Sequence, residues 1–136
     1  MKISASIYSD KNRPLQEVIE DLVQHQVDLL HVDCNDDFSV FEDIKQIRQW
    51  CDLPIDLHII TGEPEKFYQY LRETPVEYVT FQFENLTEEL DIPEDISGKK
   101  GLAIITPTSI DAFDPVIRGF WHILQHYIHL LQIFQL

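Results

Sequence analysis

Histidine and aspartate alternate in two short apolar segments of the sequence. His31 is followed two positions later by Asp33, and Asp56 is followed two positions later by His58. On an extended backbone alternate side chains point to the same side, so each pair would share one face of a strand. An imidazole and a carboxylate would therefore converge on one point.

Nitrogen and oxygen donors of this kind suit a divalent metal ion. His31, Asp33 and His58 form a ligand set for zinc, manganese or iron that leaves coordination positions open for substrate oxygens. Three protein ligands are typical of a catalytic site rather than a closed structural one. The alternative is that each side chain is an isolated core polar group, hydrogen-bonded to the backbone or to a neighbour such as Asp56. Spacing alone leaves both interpretations open.

These residues belong to a repeating pattern of strands and helices. Strands predicted to begin near residues 2, 28, 54, 77 and 101 alternate with segments of helical periodicity, and such alternation is typical of a parallel sheet. The apolar side of the first helix includes Val23, and that of the third, opening at Glu63, includes Tyr70. We expect residues 85–100, which are acidic and contain Pro93, to form a short, irregular helical connection.

Polar side chains on the predicted strands favour a barrel over an open sheet. An open parallel sheet covered on both faces has strands that are almost continuously apolar, whereas a barrel collects polar side chains at the C-terminal ends of its strands. Polar residues recur here on one face of four strands: Ser4, Ser6, His31, Asp33, Asp56, His58, Thr80, Gln82 and Glu84.

Chain length favours the opposite choice. The chain has 136 residues, while a complete (β/α)8 barrel needs roughly 200 or more, so a flavodoxin-like regulatory domain is an alternative. We predict an α/β fold, a partial (β/α)8 TIM barrel of about five βα units, with an extra C-terminal helical tail.

The composition excludes several classes of partner. With 24 acidic and 10 basic residues the formal charge is −14, which repels phosphate backbones and anionic lipids, so we expect no nucleic-acid and no membrane partner. A small phosphorylated substrate is compatible, because a few backbone amides can bind a phosphate locally.

Cys34 and Cys51 have no CxxC spacing and no signal peptide precedes them, which predicts a cytoplasmic protein with reduced thiols. Cys34 is expected to be a packed core thiol.

The composition changes at the end of the chain. All acidic residues lie at or before Asp114, and Val116–Leu136 contains one formal charge, Arg118. We therefore divide the sequence into residues 1–115, the barrel segment, and an apolar tail of residues 116–136 that we expect not to be native family sequence, as after a frame shift or a truncation. His122, His126 and His129 fall at helical spacing in this tail, but apolar surroundings argue against a zinc site there.

Three motifs occur in order along the first half of the chain. They are Ile3-Ser4-Ala5-Ser6-Ile7, then Asp28-Leu29-Leu30-His31-Val32-Asp33, then Pro54-Ile55-Asp56-Leu57-His58. Together they resemble the ribulose-phosphate 3-epimerase family. The similarity continues through Tyr78-Val79-Thr80-Phe81, Glu84 and Gly101-Leu102-Ala103-Ile104, and covers about residues 2–115.

The resemblance implies a barrel enzyme that interconverts ribulose 5-phosphate and xylulose 5-phosphate, a sugar-phosphate isomerase dependent on a divalent zinc, iron or manganese ion. By this resemblance His31, Asp33 and His58 are metal ligands, Asp33 is the catalytic acid/base at carbon 3, and Ser6 and His58 contact the substrate. The chain departs from the family pattern at Asn35-Asp36-Asp37, where Met-Asp-Gly is usual, and at Gln82, where histidine is usual. These departures indicate an altered pocket.

Later motifs of the family have no counterpart in residues 116–136. Inversion at carbon 3 requires a proton donor on the face opposite the base, and the family's aspartate for this role comes after the matched segment. We therefore expect this chain to hold half of the acid/base pair. The alternative function is a non-catalytic metal-binding remnant or association module, in which exposed edge strands favour a homo-oligomer.

Overall fold

Five parallel strands form one sheet in the computed structural model, which describes residues 2–105. Along the chain they are β1 (Ser4–Ser6), β2 (Leu29–Asn35), β3 (Ile55–Ile60), β4 (Tyr78–Gln82) and β5 (Lys99–Ala103). Their order in the sheet is the same, β1-β2-β3-β4-β5, and every neighbouring pair is parallel. Each strand therefore lies beside the next one in sequence, as in the wall of a (β/α) barrel.

The strand order separates the two predicted architectures. A flavodoxin-like sheet places its first strand between two others, whereas β1 lies at the edge of this sheet and pairs with β2. The partial (β/α)8 barrel is confirmed, and the flavodoxin-like alternative is wrong.

Helices follow the first three strands. They are α1 (Leu15–Gln24), α2 (Val40–Trp50) and α3 (Tyr68–Glu73), the last preceded by a 3-10 turn at Pro64–Phe67. The predicted alternation of strands and helices is confirmed for these three units, although the α-helical part of the third helix begins at Tyr68 rather than near Glu63. Two residues assigned to buried helix faces are not buried. Val23 is 42% exposed near the end of α1, and Tyr70 is 38% exposed while one side of its ring stacks on Phe38.

The connection between β4 and β5 differs from the prediction. It contains a 3-10 turn, Phe83–Asn85, and no helix from residue 86 to residue 98. Leu90 and Ile96 are nevertheless buried, so two apolar side chains anchor an extended loop. Because Pro93 interrupts helical hydrogen bonding and the acidic side chains repel one another, this loop is attached by packing rather than by helical structure.

The core lies between the sheet and the helices. Leu30, Val32 and Cys34 alternate on the helix-facing side of β2 and are fully buried. The predicted core thiol at Cys34 is thus confirmed, and burial raises its pKa to about 11, which leaves it unreactive at neutral pH. The same side of β3 and β4 is also buried and apolar, through Ile55, Leu57, Ile59, Val79 and Phe81.

Carboxylates at the N-terminal ends of the strands fix the alignment of the sheet. Asp28 precedes β2 and its Oδ2 accepts the backbone N–H of Ile3 at 2.7 Å. Glu77 precedes β4 and its Oε2 accepts the N–H of Ile55 at 2.7 Å and an Arg48 hydrogen bond at 2.8 Å. Because one residue of slippage would turn every side chain to the other face, these contacts help to determine which side chains meet at the site.

Several predicted features lie outside the described residues: the helical tail of residues 116–136, the division after residue 115, and His122, His126 and His129. Within residues 2–105, no helix is both long enough and apolar enough to cross a membrane.

The turn that begins β5 depends on Gly98. This residue has φ of +87°, and a Cβ there would overlap the carbonyl oxygen of Val76. We expect Gly98→Ala to lower the free energy of unfolding by roughly 2–4 kcal/mol, because left-handed strain and a backbone clash add. Urea denaturation measures this change.

Gly62→Ala is the matched control. A Cβ at Gly62 would lie 3.4 Å from the Asn85 carbonyl oxygen, at ordinary contact distance, so the expected loss is less than about 1 kcal/mol. Equal losses in the two variants would contradict the strain assigned to Gly98.

Candidate metal and acid/base site

The predicted site residues lie on the inner face of the sheet, opposite the helices. In the strand register Ser6 pairs with His31, His31 with Asp56, Asp33 with His58, and His58 with Thr80. Register partners in a parallel sheet share a face and lie about 4.8 Å apart. Strand alternation and register together therefore place imidazoles and carboxylates side by side.

His31 connects two carboxylates. Its Nδ1 lies 2.9 Å from Asp56 Oδ2, its Nε2 lies 3.1 Å from Asp33 Oδ1, and its side chain is 13% exposed. Burial lowers the pKa of His31, but the hydrogen bonds and negative charges of Asp33 and Asp56 outweigh burial and raise it to about 9. In the metal-free protein this ring is therefore protonated at neutral pH.

Asp33 lies at the centre of the cluster and is its most exposed member, with 40% of its side chain accessible. Its Oδ1 faces both His31 Nε2 and, at 3.3 Å, His58 Nδ1. Hydrogen bonds from His31 and His58 hold the pKa of Asp33 well below its usual range, against the opposing effect of burial. The carboxylate is ionised at neutral pH, and neither of these contacts involves Oδ2.

The turn after β2 places Asp33 close to the C-terminal end of its strand. Asp36 has φ of +51°, a left-handed conformation that aspartate adopts more readily than most residues. Asp37 Oδ1 then accepts the N–H of Ser39 at 2.9 Å, at the start of α2. The strand therefore ends sharply at Asn35.

His58 has a different partner on each ring nitrogen. Nε2 lies 2.9 Å from the side-chain oxygen of Gln82, and Nδ1 faces Asp33. Because an amide oxygen only accepts hydrogen bonds, Nε2 carries a proton. Nδ1 faces an ionised carboxylate, which also only accepts hydrogen bonds, so a proton or a cation must lie between Nδ1 and Asp33.

This geometry fits a divalent cation. One ligand atom each from His31, Asp33 and His58 lies within 4.8 Å of the others. His31 Nε2 and His58 Nδ1 lie 3.1 and 3.3 Å from Asp33 Oδ1. Two ligand atoms that are each about 2.0 Å from a tetrahedral zinc ion are about 3.3 Å apart, so both distances fit. Asp56 on the far nitrogen of His31 is the carboxylate partner that metal-bound histidines usually have.

Comparison with known proteins places this chain in a family. The sequence model of the ribulose-phosphate 3 epimerase family matches residues 2–125. The chain belongs to the ribulose-phosphate 3-epimerase family. A protein of Aquifex aeolicus (strain VF5) named ribulose-phosphate 3-epimerase is 24% identical over 110 residues, which cover 74% of this chain and 50% of that protein. The chain thus spans about half the length of the curated relative that it matches.

The structure brings together most of the side chains predicted for an epimerase-family site. His31, Asp33 and His58 converge, while Ser6 is half-buried beside His31 on β1. Their assigned roles in metal binding, substrate contact and proton transfer stay predictions. The sequence did not predict the contact between Gln82 and His58, although alternation from Thr80 assigned Gln82 to the correct face.

The proton on His31 makes the stability of the metal-free protein depend on pH. Because folding raises the pKa of this imidazole from 6.5 to about 9, its contribution is fully present below pH 6.5 and is lost as pH rises through about 9. In the presence of a chelator, we expect the unfolding temperature to decrease as the pH is raised from 6.5 to about 9. Differential scanning calorimetry across this interval measures the fall.

Two variants identify the histidine responsible. His31→Gln removes the titrating ring, so the unfolding temperature should depend much less on pH. It should also be lower overall, because Asp33 and Asp56 lose a partner. His25→Gln alters an exposed histidine of the α1 terminus and should keep the wild-type slope. A wild-type slope in His31→Gln would assign the pH dependence to another group.

Proposed function

We propose that the protein containing this chain is a metal-dependent ribulose-phosphate 3-epimerase, an isomerase that interconverts ribulose 5-phosphate and xylulose 5-phosphate by proton transfer at carbon 3. The observation that carries this proposal is the convergence of His31, Asp33 and His58 at one place on the inner face. Family membership and the named relative support the same reaction class.

Asp33 is the base in this proposal. It is ionised at neutral pH, it is partly exposed, and the two imidazole contacts both reach Oδ1. Oδ2 is therefore the oxygen assigned to take the proton from carbon 3 of the substrate. Since inversion also needs an acid on the opposite face of that carbon, we assign Asp33 one half of the acid/base pair.

His31 and His58 would hold the cation together with Asp33, with zinc, iron or manganese as the candidate ions. A bound divalent ion would withdraw electron density from the carbonyl and hydroxyl oxygens of the substrate and stabilise the negative charge left when the proton departs. Ser6 and the ring of His58 are the proposed substrate contacts within this part of the barrel.

Composition favours a small-molecule substrate in the cytoplasm over a nucleic acid or an anionic membrane, and it is compatible with a phosphorylated substrate bound by local amides. The formal charge of −14 disfavours nucleic acid and anionic membranes. Cys34 and Cys51 are both free thiols, as expected in a reducing compartment.

A second candidate function is that of a metal-binding association module. β1 and β5 are the two edges of the described sheet, and the exposed apolar residues Ile3 and Ile105 lie beside them. Unpaired edges of this kind favour association of copies of the chain. The two candidates differ in whether the cluster moves a proton.

Deuterium exchange tests for proton transfer at Asp33. With ribulose 5-phosphate and a divalent ion in D2O, we expect deuterium to enter carbon 3, because removing and returning a proton on one face requires one base. Asp33→Asn should slow the exchange by at least about 100-fold. Proton NMR of the sugar phosphate follows the loss of the carbon 3 signal.

Asp52→Asn is the matched control, because Asp52 is an exposed aspartate near the start of β3, at the other end of the strand from the site. It should exchange at the wild-type rate. A wild-type protein that binds metal but catalyses no exchange would favour the association module, and exchange retained in Asp33→Asn would remove Asp33 from the proposed role.

Metal content tests the ligand set separately from activity. After loading with zinc and dialysis, wild type and His25→Ala should retain one ion per chain, while His31→Ala should retain almost none because one of three ligands is gone. Elemental analysis measures the content, and circular dichroism checks folding. Stoichiometric zinc in a folded His31→Ala would contradict the proposed ligand set.

A further inference from the structure

The Gln82 side chain connects His58 to the end of the neighbouring strand. Its amide oxygen is 2.9 Å from His58 Nε2, and its amide nitrogen donates to a Glu84 carboxylate oxygen and, at 3.3 Å, to the backbone oxygen of Ala103. Gln82 is the last residue of β4, and Ala103 is its register partner on β5. One side chain therefore joins a candidate metal ligand to two fixed acceptors.

These two acceptors determine the orientation of the amide. A glutamine amide has one accepting end and one donating end. A carboxylate and a backbone carbonyl both require the donating end, so the oxygen must face His58. Glu84 is itself fixed, since its Oε1 accepts the N–H of Ile105 at 2.9 Å.

The orientation of the amide then determines the tautomer of the imidazole. An oxygen at Nε2 requires the ring proton to be on Nε2, which leaves the lone pair of a neutral ring on Nδ1, the atom that faces Asp33. A reversed amide would present an N–H to Nε2, and the proton would move to Nδ1. A proton on Nδ1 would occupy the position that a metal ion needs.

We propose that Gln82, oriented by Glu84 and Ala103, is a positioning residue that holds His58 in the tautomer competent to bind a cation. This inference rests on the proposed function, because it assigns Gln82 a role toward the same metal site. It extends that function by giving His58 a neutral partner where His31 has the charged partner Asp56.

The neutral amide also controls the charge of the site. The two negative charges of Asp33 and Asp56 already balance the two positive charges of a divalent ion. Glu84 is separated from His58 by the Gln82 side chain, which contacts both. A carboxylate in place of Gln82 would face Glu84 directly, and two like charges in contact disfavour one another. We therefore expect glutamine at this position to be matched to glutamate at position 84.

Gln82→Met tests the role directly, because methionine nearly keeps the size of the side chain but removes the amide. In the metal-free variant we expect His58 Nε2, left without its acceptor, to lose its proton in favour of Nδ1, which faces the Asp33 carboxylate. Two-bond nitrogen–proton NMR correlations at a fixed pH near neutrality show this change. We also expect zinc affinity, measured by competition with a chromophoric chelator, to fall by roughly 10–100-fold.

Two further variants separate positioning from simple packing. Gln69→Met makes the same change in α3, where Gln69 donates to Glu73 on the exposed surface, and should leave tautomer and affinity unchanged. The exchange variant Gln82→Glu with Glu84→Gln keeps the total charge and restores an acceptor at Nε2, so it should recover the proton on Nε2. It should recover only part of the zinc affinity, because the Ala103 carbonyl loses its donor.

The outcomes separate this proposal from the proposed function. If folded Gln82→Met keeps both the proton on His58 Nε2 and the wild-type zinc affinity, Gln82 is not the positioning residue. If wild type binds no zinc, the metal site fails as a function, while the NMR measurement on metal-free protein still tests the tautomer.

Discussion

Positive charge between the side chains of the inner face is the interaction on which this site depends. Asp33 and Asp56 both contact His31, and Asp33 also contacts His58. Asp56 and the two rings are largely shielded from solvent, while Asp33 is partly exposed. Buried carboxylates need a compensating cation or hydrogen bonds to be ionised. The proton on His31 supplies part of that charge in the metal-free protein, so a proton and a metal ion would compete for the same electrostatic position.

The rest of the structure keeps that cluster in place from both sides. On the helix-facing side, fully buried residues such as Val32 and Leu57 fix β2 and β3 against the helices. At the N-terminal ends of the strands, Asp28 and Glu77 align neighbouring strands through backbone hydrogen bonds. Precise strand alignment matters here because the site combines residues of two strands, and a shift of one position would separate Asp33 from His58.

The sequence predicted those features that depend on local periodicity. Alternation identified the face shared by His31 and Asp33, and repeated strand and helix segments indicated the parallel fold. It did not predict the loop from residue 86 to residue 98, where burial of Leu90 and Ile96 replaces helical structure. The contact of Gln82 with His58 was also missed, since it depends on strand register, on the reach of two side chains and on acceptors from β5, none of which periodicity reports.

The adjacency of β2 and β3 has a consequence for how the protein would gain stability. Asp33 and His58 are 25 residues apart in sequence, so an ion held by both would act as a reversible cross-link that closes one loop of the chain. A ligand that binds the folded state alone adds about 1.4 kcal/mol for each tenfold rise in its free concentration above the dissociation constant. The amount of folded protein would then follow the supply of the ion, which makes folding itself responsive to metal availability.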